Sequence, residues 1–186
     1  MDHAGSRQPL DRPAGQLRSA IGLLPQSAFL FRGTVASNLR FGWPEATDEQ
    51  LWRARCRAGP RLRRQHAGSA RGLIDQGGTN VSGGQRQRLS IARALVRRPW
   101  LYLFDDCFSA LDPATDARLR HALRAETQDA AVVVVAQRVS TIMYADQIIV
   151  LDAGRIAGNG SYQQLIAGCG PYQEIAASQL GEGVAA

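Results

Sequence analysis

One short stretch of the sequence combines a serine with two glycines in a way that suits phosphate binding. Residues 81–88 read VSGGQRQR, so that Ser82 is followed by Gly83, Gly84 and Gln85 at the start of a helical pattern. Glycines that open a helix let backbone N–H groups and the positive end of the helix dipole come close to an anion. The same residues could also form a simple helix cap, so their neighbours must decide between the two interpretations.

A pair of carboxylates supplies a second chemical group. Residues 101–106 read LYLFDD, which places Asp105 and Asp106 directly after an apolar run. Phosphoryl-transfer enzymes place a magnesium ligand at the end of such a strand. Residues 109–112 (SALD) then predict a tight acidic turn that ends in Asp112. Two amides follow other apolar runs, Gln26 near the start of the chain and Gln137 further on.

Apolar runs predict the strands that position these groups. Runs at 21–24, 101–104 and 132–135 predict strands covered on both faces, which is typical of a parallel sheet. A further run at 148–151 predicts a strand that turns into a hairpin at Ala153-Gly154.

Helical patterns lie between the strands. Apolar residues at three-residue steps predict a helix over 85–97, and Asp112-Pro113 predicts the N-cap and first position of another. Strands that alternate with helices predict an α/β fold with a parallel sheet.

Residues 53–71 are the exception to these helical patterns, because their arginines alternate with Ala, Gly and Pro. No apolar face at helical spacing remains there, and a well-packed helix is not expected.

The amino-acid composition disfavours some functional classes of protein. The net charge is +6 with histidine counted as neutral, yet every positively charged side chain is arginine and none is lysine. The two groups of arginines, in 53–71 and in 86–98, do not form one aromatic-lined face, which disfavours nucleic-acid binding. The three cysteines have no metal or redox spacing, which suits a reducing compartment. Without a membrane-length apolar run or a signal peptide, a cytoplasmic location is expected unless a partner carries the chain to a membrane.

In their order along the chain, these motifs resemble those of ABC transporter ATP-binding domains. VSGGQRQR resembles the family signature, LYLFD the Walker B strand and SALD the D-loop. LLPQ at 23–26 resembles the Q-loop, and VAQRVSTI at 135–142 resembles the switch region. Residues 29–42 and 160–179 are similar to the exporter branch, and the resemblance covers 16–180.

The resemblance implies an incomplete P-loop NTPase-like α/β domain that binds ATP and Mg²⁺ together with a partner. Two such domains pack head to tail around two ATP molecules, and they associate with the transmembrane domains of an exporter at the cytoplasmic face of a membrane. The expected segments are 1–20, a remnant before the Q-loop; 21–49, the Q-loop region; 50–90, a helical subdomain with the signature; and 91–180, with Walker B, D-loop and switch.

Residue by residue, the resemblance assigns roles to the groups already described. Ser82, Gly83, Gly84 and Gln85 would contact ATP held by the partner domain. Asp105 would hold Mg²⁺, Gln26 would contact Mg²⁺ or the attacking water, and Asp112 would cross the dimer interface.

Three departures from the family pattern predict a weak site in this chain. No GxxxxGK(S/T) phosphate loop precedes Gln26, so the chain is expected to be truncated before the Q-loop and inactive alone. Asp106 stands where the family has a catalytic glutamate, and Gln137 stands where it has the switch histidine. Aspartate is one methylene shorter, and glutamine cannot become cationic. These departures resemble the degenerate-site subunit of a heterodimeric ABC exporter.

Three alternatives remain open at this stage. The chain could be a non-catalytic module that modulates another ABC ATPase. It could be a decayed gene fragment, because 53–71 has the composition of an out-of-frame reading of a GC-rich gene. A soluble ABC ATPase of DNA repair or translation is disfavoured by the exporter-like stretches.

Overall fold

A computed structural model describes residues 14–58, 72–109 and 111–180. Within these ranges the chain forms α1 (Ala14–Ala20), β1 (Ile21–Leu24), β2 (Gly33–Thr34), α2 (Val35–Arg40), α3 (Asp48–Arg57), β3 (Leu73–Ile74), α4 (Gly83–Arg97), β4 (Leu101–Asp105), α5 (Pro113–Glu126), β5 (Ala131–Val135), α6 (Val139–Ile142), β6 (Ile148–Asp152), β7 (Arg155–Gly160), α7 (Tyr162–Gly168) and α8 (Gly170–Leu180). A 3₁₀ turn at Gln76–Gly78 precedes α4.

The described chain divides into two compact units, one that ends at Val135 and one that begins at Ala136. The first unit contains a parallel sheet in the order β1-β4-β5, together with a short antiparallel β2-β3 ribbon. The parallel sheet confirms the predicted α/β fold. None of the helices in the described ranges is long and apolar enough to cross a membrane.

Helix α4 forms the centre of the first unit's core. Leu89, Ile91 and Ala92 on this helix are fully buried, and they pack in one cluster with Leu24 of β1 and Phe104 of β4. The helix begins at Gly83, two residues before the predicted start, because the side chain of Ser82 caps it. The buried residues hold this helix in the core, and its first turn, which begins at Gly83, lies at the protein surface.

The second unit is a β-hairpin packed against two helices. Strands β6 and β7 pair antiparallel and turn at Ala153-Gly154, where both residues have positive φ, 46° and 75°. Val150, Leu165 and Tyr172 belong to its buried cluster. The predicted hairpin is confirmed, including the position of its turn.

Two predictions about packing were wrong. Helix α3 extends to Arg57, although no packed helix was expected from residue 53 onward. Residues 59–71 of that segment, like residues 1–13 and Ala110 of the acidic turn, lie outside the described residues. Strand β5 was expected to be covered on both faces, yet Val132, Val133 and Val135 are 42%, 50% and 57% exposed.

The physical reason for α3 lies in its caps and its ion pairs. Thr47 and Gln50 form a capping box at the N-terminus, which satisfies backbone N–H groups that the helix itself leaves unpaired. Arg53 pairs with Glu49 one turn earlier, and Arg57 pairs with Glu126 of α5. The buried side of the helix consists of Leu51 and Ala54, which are 3% and 5% exposed, together with Arg55, which is 2% exposed.

Candidate functional site

Parallel pairing brings two of the predicted polar groups to one edge of the sheet. Leu24 of β1 lies opposite Phe104 of β4, so the residues that follow the two strands emerge side by side. The side-chain Nε2 of Gln26 donates a hydrogen bond to Oδ2 of Asp106 at 3.3 Å. Asp105, the last residue of β4, is exposed beside them. The structure therefore places Gln26 beside the carboxylate pair at the carboxyl ends of β1 and β4.

The backbone at Asp106 takes an unusual conformation. Its φ is 42°, in the left-handed region that non-glycine residues rarely adopt, although Asp tolerates it better than most. Its N–H donates to the carbonyl of Val135 at 2.9 Å, and its carbonyl accepts from Oγ of Ser109 at 2.8 Å. These bonds hold the carboxylate toward Gln26. The role of Ser109 was not anticipated, although its place in the SALD turn was a usable signal.

Directly after Asp106 the chain enters the buried core. Cys107 is 1% exposed, and burial raises the pKa of its thiol to about 12. Cys107 belongs to the same buried cluster as Leu89 and Ala92 of α4. The residue after Asp106 is therefore packed in one core with the helix that begins with the signature residues.

The signature residues form a helix start that is open to solvent. Oγ of Ser82 accepts from the N–H of Gln85 at 3.3 Å, and the side-chain oxygen of Gln85 accepts from the N–H of Ser82 at 2.9 Å. This reciprocal cap confirms the helix-cap interpretation of the stretch. A methyl group added at Gly83 would meet no atom within 4 Å of its carbon, so the space beside the first turn is open.

A cap and an anion contact are compatible at this position. The first four N–H groups of an α-helix have no partner within the helix, and the capping box satisfies only part of them. Because Gly83 is exposed and has no side chain, a phosphate could reach the remaining N–H groups of the first turn. The residues at this helix start therefore fit an ATP phosphate.

Asp112 caps the next helix. Its Oδ1 accepts from the N–H of Thr115 at 2.9 Å, and this bond with Thr115 is the main cause that lowers the pKa of the exposed carboxyl. The N-cap that the Asp112-Pro113 pattern predicted is therefore confirmed, and the N-terminus of α5 favours the ionised form of this carboxyl.

Gln137 belongs to the second unit. Its carbonyl oxygen accepts from Nε2 of Gln179 at 2.7 Å, and the same Gln179 side chain accepts from the N–H of Val139 at 2.8 Å. Gln179 therefore ties the start of α6 to α8, and the side chain of Gln137 is exposed.

The chemistry of the donor set at the sheet edge suits Mg²⁺. Asp105, Asp106 and Gln26 offer carboxylate and amide oxygens, which are the hard ligands this ion takes in proteins. Magnesium commonly uses only one or two carboxylates beside substrate phosphates and water. No cluster of three or more His, Cys, Asp or Glu residues suited to a metal is present in the part of the chain that the structure describes.

Comparisons with known proteins found similar sequences. The family model described as "ABC transporter" matches residues 3–109. An uncharacterised ABC transporter ATP-binding protein of Mycobacterium tuberculosis is 50% identical over 168 residues, which cover 88% of this chain and 28% of the relative. A β-(1→2)glucan export ATP-binding/permease protein of Rhodopseudomonas palustris is 40% identical over 171 residues, which cover 88% of this chain and 27% of the relative.

A solved structure shows the same fold. The structure of a bacterial Atm1-family ABC exporter with ATP bound aligns with a TM-score of 0.85 and 35% identity. The alignment covers 90% of this chain and 30% of the exporter chain. This chain thus spans less than a third of the length of these relatives.

Proposed function

Because the chain belongs to the ABC transporter family, we propose that it is an ATP-binding segment of an exporter and that its signature residues complete an ATP site on a second ABC domain. Relatives that carry export in their names support the exporter branch. The partners would be another ABC ATP-binding domain, paired head to tail as a heterodimer, and the transmembrane domains of the exporter. The assembly would place this chain at the cytoplasmic face of a membrane.

The open start of α4 is the observation that carries this proposal. Ser82, Gly83 and Gly84 present a capped helix end with free space beside the glycine and no side chain to block a phosphate. The helix dipole and the N–H groups of the first turn attract the γ-phosphate of an ATP molecule that the partner domain holds. Gln85 maintains this geometry through its bond to the backbone of Ser82 and would lie next to the same phosphate.

The chain's own carboxylates would serve a second ATP site, of which these residues form only a part. Asp105 would bind Mg²⁺, which neutralises negative charge on phosphate oxygens when it is bound. Gln26 would contact Mg²⁺ or the attacking water, and Asp112 would lie at the dimer interface.

We propose that this second site hydrolyses ATP slowly. Asp106 has a shorter side chain than glutamate and already accepts a hydrogen bond from Gln26. A catalytic group displaced by about 1 Å can lower a rate on the order of a hundredfold. Gln137, in the switch position, can donate a hydrogen bond but cannot carry a proton as histidine does. These 186 residues contain no lysine, so they alone supply no phosphate-loop lysine and are expected to bind ATP weakly.

A reconstitution experiment tests the signature role. The purified chain is added to a complete ABC ATP-binding domain that has its own GxxxxGK(S/T) loop but a disabled signature. Turnover of ATP by that domain is then measured. We expect turnover to rise with added chain and to saturate. No change in turnover or in nucleotide affinity at saturating chain would contradict the proposal.

A matched pair of glycine variants separates the signature from other surfaces. Gly83→Ala places a methyl group at the open helix start, whereas Gly170→Ala places one at the start of α8, and neither Cβ meets an atom within 4 Å. Gly83→Ala should abolish most of the stimulation, and Gly170→Ala should not. If both variants stimulate equally, the chain is an interaction module that acts through another surface.

A further inference from the structure

A small cavity lies between α3 and the C-terminal end of α4, apart from the signature residues and the carboxylate pair. Its volume is about 230 Å³, and we call it the Trp43 pocket. Its lining includes the indole of Trp43, the apolar side chains of Leu95 and Val96, and three guanidinium groups, Arg53, Arg57 and Arg98. An apolar wall with convergent polar groups at its rim is the usual composition of a ligand site.

The three guanidinium groups come from two elements that face each other. Arg53 and Arg57 are one turn apart on α3, so their side chains lie on the same face of that helix. Arg98 follows α4 as its C-cap, with φ of 47° and ψ of 58° in the left-handed region. The backbone of Arg98 turns away from the helix, and its side chain lines the pocket opposite α3.

The charges around the pocket do not cancel. Arg53 contacts Glu49 through one nitrogen, and Arg57 contacts Glu126 through one nitrogen. A guanidinium has five N–H donors, so each of these arginines keeps further donors after its ion pair. Arg98 has no carboxylate within 4 Å among the described residues. Among the described lining residues and their ion-pair partners, three positive groups and two negative ones leave a net charge of +1.

The volume sets the size of the ligand. An engineered apolar cavity of about 150 Å³ holds one benzene molecule, so a pocket of this size accommodates one ring with one small substituent. The indole of Trp43 offers a flat surface for stacking, and planar guanidinium groups match the geometry of a carboxylate.

We propose that the Trp43 pocket binds a small aromatic carboxylate, with its ring against Trp43 and its carboxylate held by Arg98 and the α3 arginines. A monoanion neutralises the one uncompensated charge, and the ring excludes water from Leu95 and Val96. This site is independent of the proposed ATP-binding role, because none of its lining residues belongs to the signature or to the carboxylate pair.

Three probes test the ligand class on the full chain by titration calorimetry. Benzoate supplies both the ring and the charge, benzamide keeps the ring without the charge, and inorganic phosphate keeps the charge without the ring. We expect benzoate to bind at least tenfold more tightly than either of the others. Equal binding of benzamide, or of phosphate, would overturn the proposal.

Two matched arginine variants locate the site. Arg98→Gln removes the uncompensated charge and should weaken benzoate binding at least tenfold, whereas Arg118→Gln on the exposed face of α5 should leave it unchanged. Because Arg98 also ends α4, Trp43→Leu provides a second variant that leaves the helix cap intact. It should likewise weaken benzoate at least tenfold, and retention of full affinity by both pocket variants would overturn the assignment.

Discussion

The side-chain nitrogen of Gln26 lies 3.3 Å from a carboxylate oxygen of Asp106, although eighty positions separate the two residues (|i−j| = 80). The parallel pairing of β1 with β4 produces this proximity, because it aligns the carboxyl ends of the two strands. A bond from an amide to a carboxylate is charge-assisted and therefore stronger than a neutral one. The pair defines the edge of the sheet where a cation would be bound.

The proposed Mg²⁺ site at this edge can be tested first at Asp105. Asp105→Asn removes one formal charge from an exposed ligand position, so we expect Mg²⁺ affinity to fall at least tenfold. Mn²⁺ can replace Mg²⁺ in the assay, with water-proton relaxation as the readout. Asp129→Asn, an exposed carboxylate before β5, is the matched control and should change nothing. Equal loss in both variants would show that binding is nonspecific.

The serine that caps α4 should contribute measurably to stability. Ser82→Ala removes the side-chain acceptor for the N–H of Gln85, and loss of such a cap costs about 0.5–2 kcal/mol. Ser82→Gly should cost only a few tenths of a kcal/mol, because glycine is tolerated at N-caps (about 0.3 kcal/mol). Urea unfolding followed by tryptophan fluorescence measures both, since Trp43, Trp52 and Trp100 all lie in the first unit. Identical stabilities for the two variants would contradict this account.

Two ion pairs on α3 should differ in strength. Arg57–Glu126 links α3 to α5 with side chains 36% and 19% exposed, whereas Arg53–Glu49 lies within α3 with side chains 57% and 71% exposed. Double-mutant cycles with glutamine should give a coupling of about 0.3–0.5 kcal/mol for the exposed pair. The less exposed pair should give about 1.5 kcal/mol or more, because water competes less for its charges. Its coupling should also fall less in high salt, and the opposite order would refute the assignment.

Alkaline pH should destabilise the first unit through Cys107. Burial raises the pKa of this thiol from 9.0 to about 12, so between these values the unfolded chain loses a proton that the folded chain retains. The free energy of unfolding therefore decreases as pH rises above about 9, by at most about 1.4 kcal/mol per pH unit. Cys107→Ala should remove this part of the slope.

Urea midpoints measured from pH 8 to pH 10.5 are sufficient for this comparison, because the upper limit lies about one and a half units above the ordinary thiol pKa of about 9. Cys56→Ala, at a partly exposed position, is the control and should keep the slope of the parent chain. Burial also raises the pKa of Tyr102, which adds to the loss of stability in the same direction at still higher pH. A parent chain with the same slope as Cys107→Ala would rule out the role of the thiol.

Much of the sheet and of the site could be predicted from local chemistry. Apolar runs bounded by polar residues located β1, β4 and the hairpin, because each signal lies within the strand itself. The Asp112-Pro113 cap was likewise a local pattern. The order of motifs along the chain then predicted that Gln26 and the carboxylate pair belong to one site.

The remaining features depend on contacts between distant residues. Helix α3 could not be expected from its arginines, because Arg57 is paired by Glu126 of α5, far along the chain. The exposure of β5 could not be predicted either, because a strand covered on both faces would carry the same valines. The bond from Ser109 to the carbonyl of Asp106 and the burial of Cys107 depend on the three-dimensional path of the chain.

At position 106 the left-handed backbone and the proposed chemistry favour different residue types. Glycine would adopt a φ of 42° without strain, and asparagine would adopt it easily, but neither supplies a carboxylate. In a library selected only for stable expression, Gly and Asn should be enriched at this position relative to Asp. In a library selected for nucleotide-dependent activity of the assembled protein, Asp or Glu should be retained. A difference between the two selections would show that a carboxylate at residue 106 lowers the free energy of unfolding and is retained for activity.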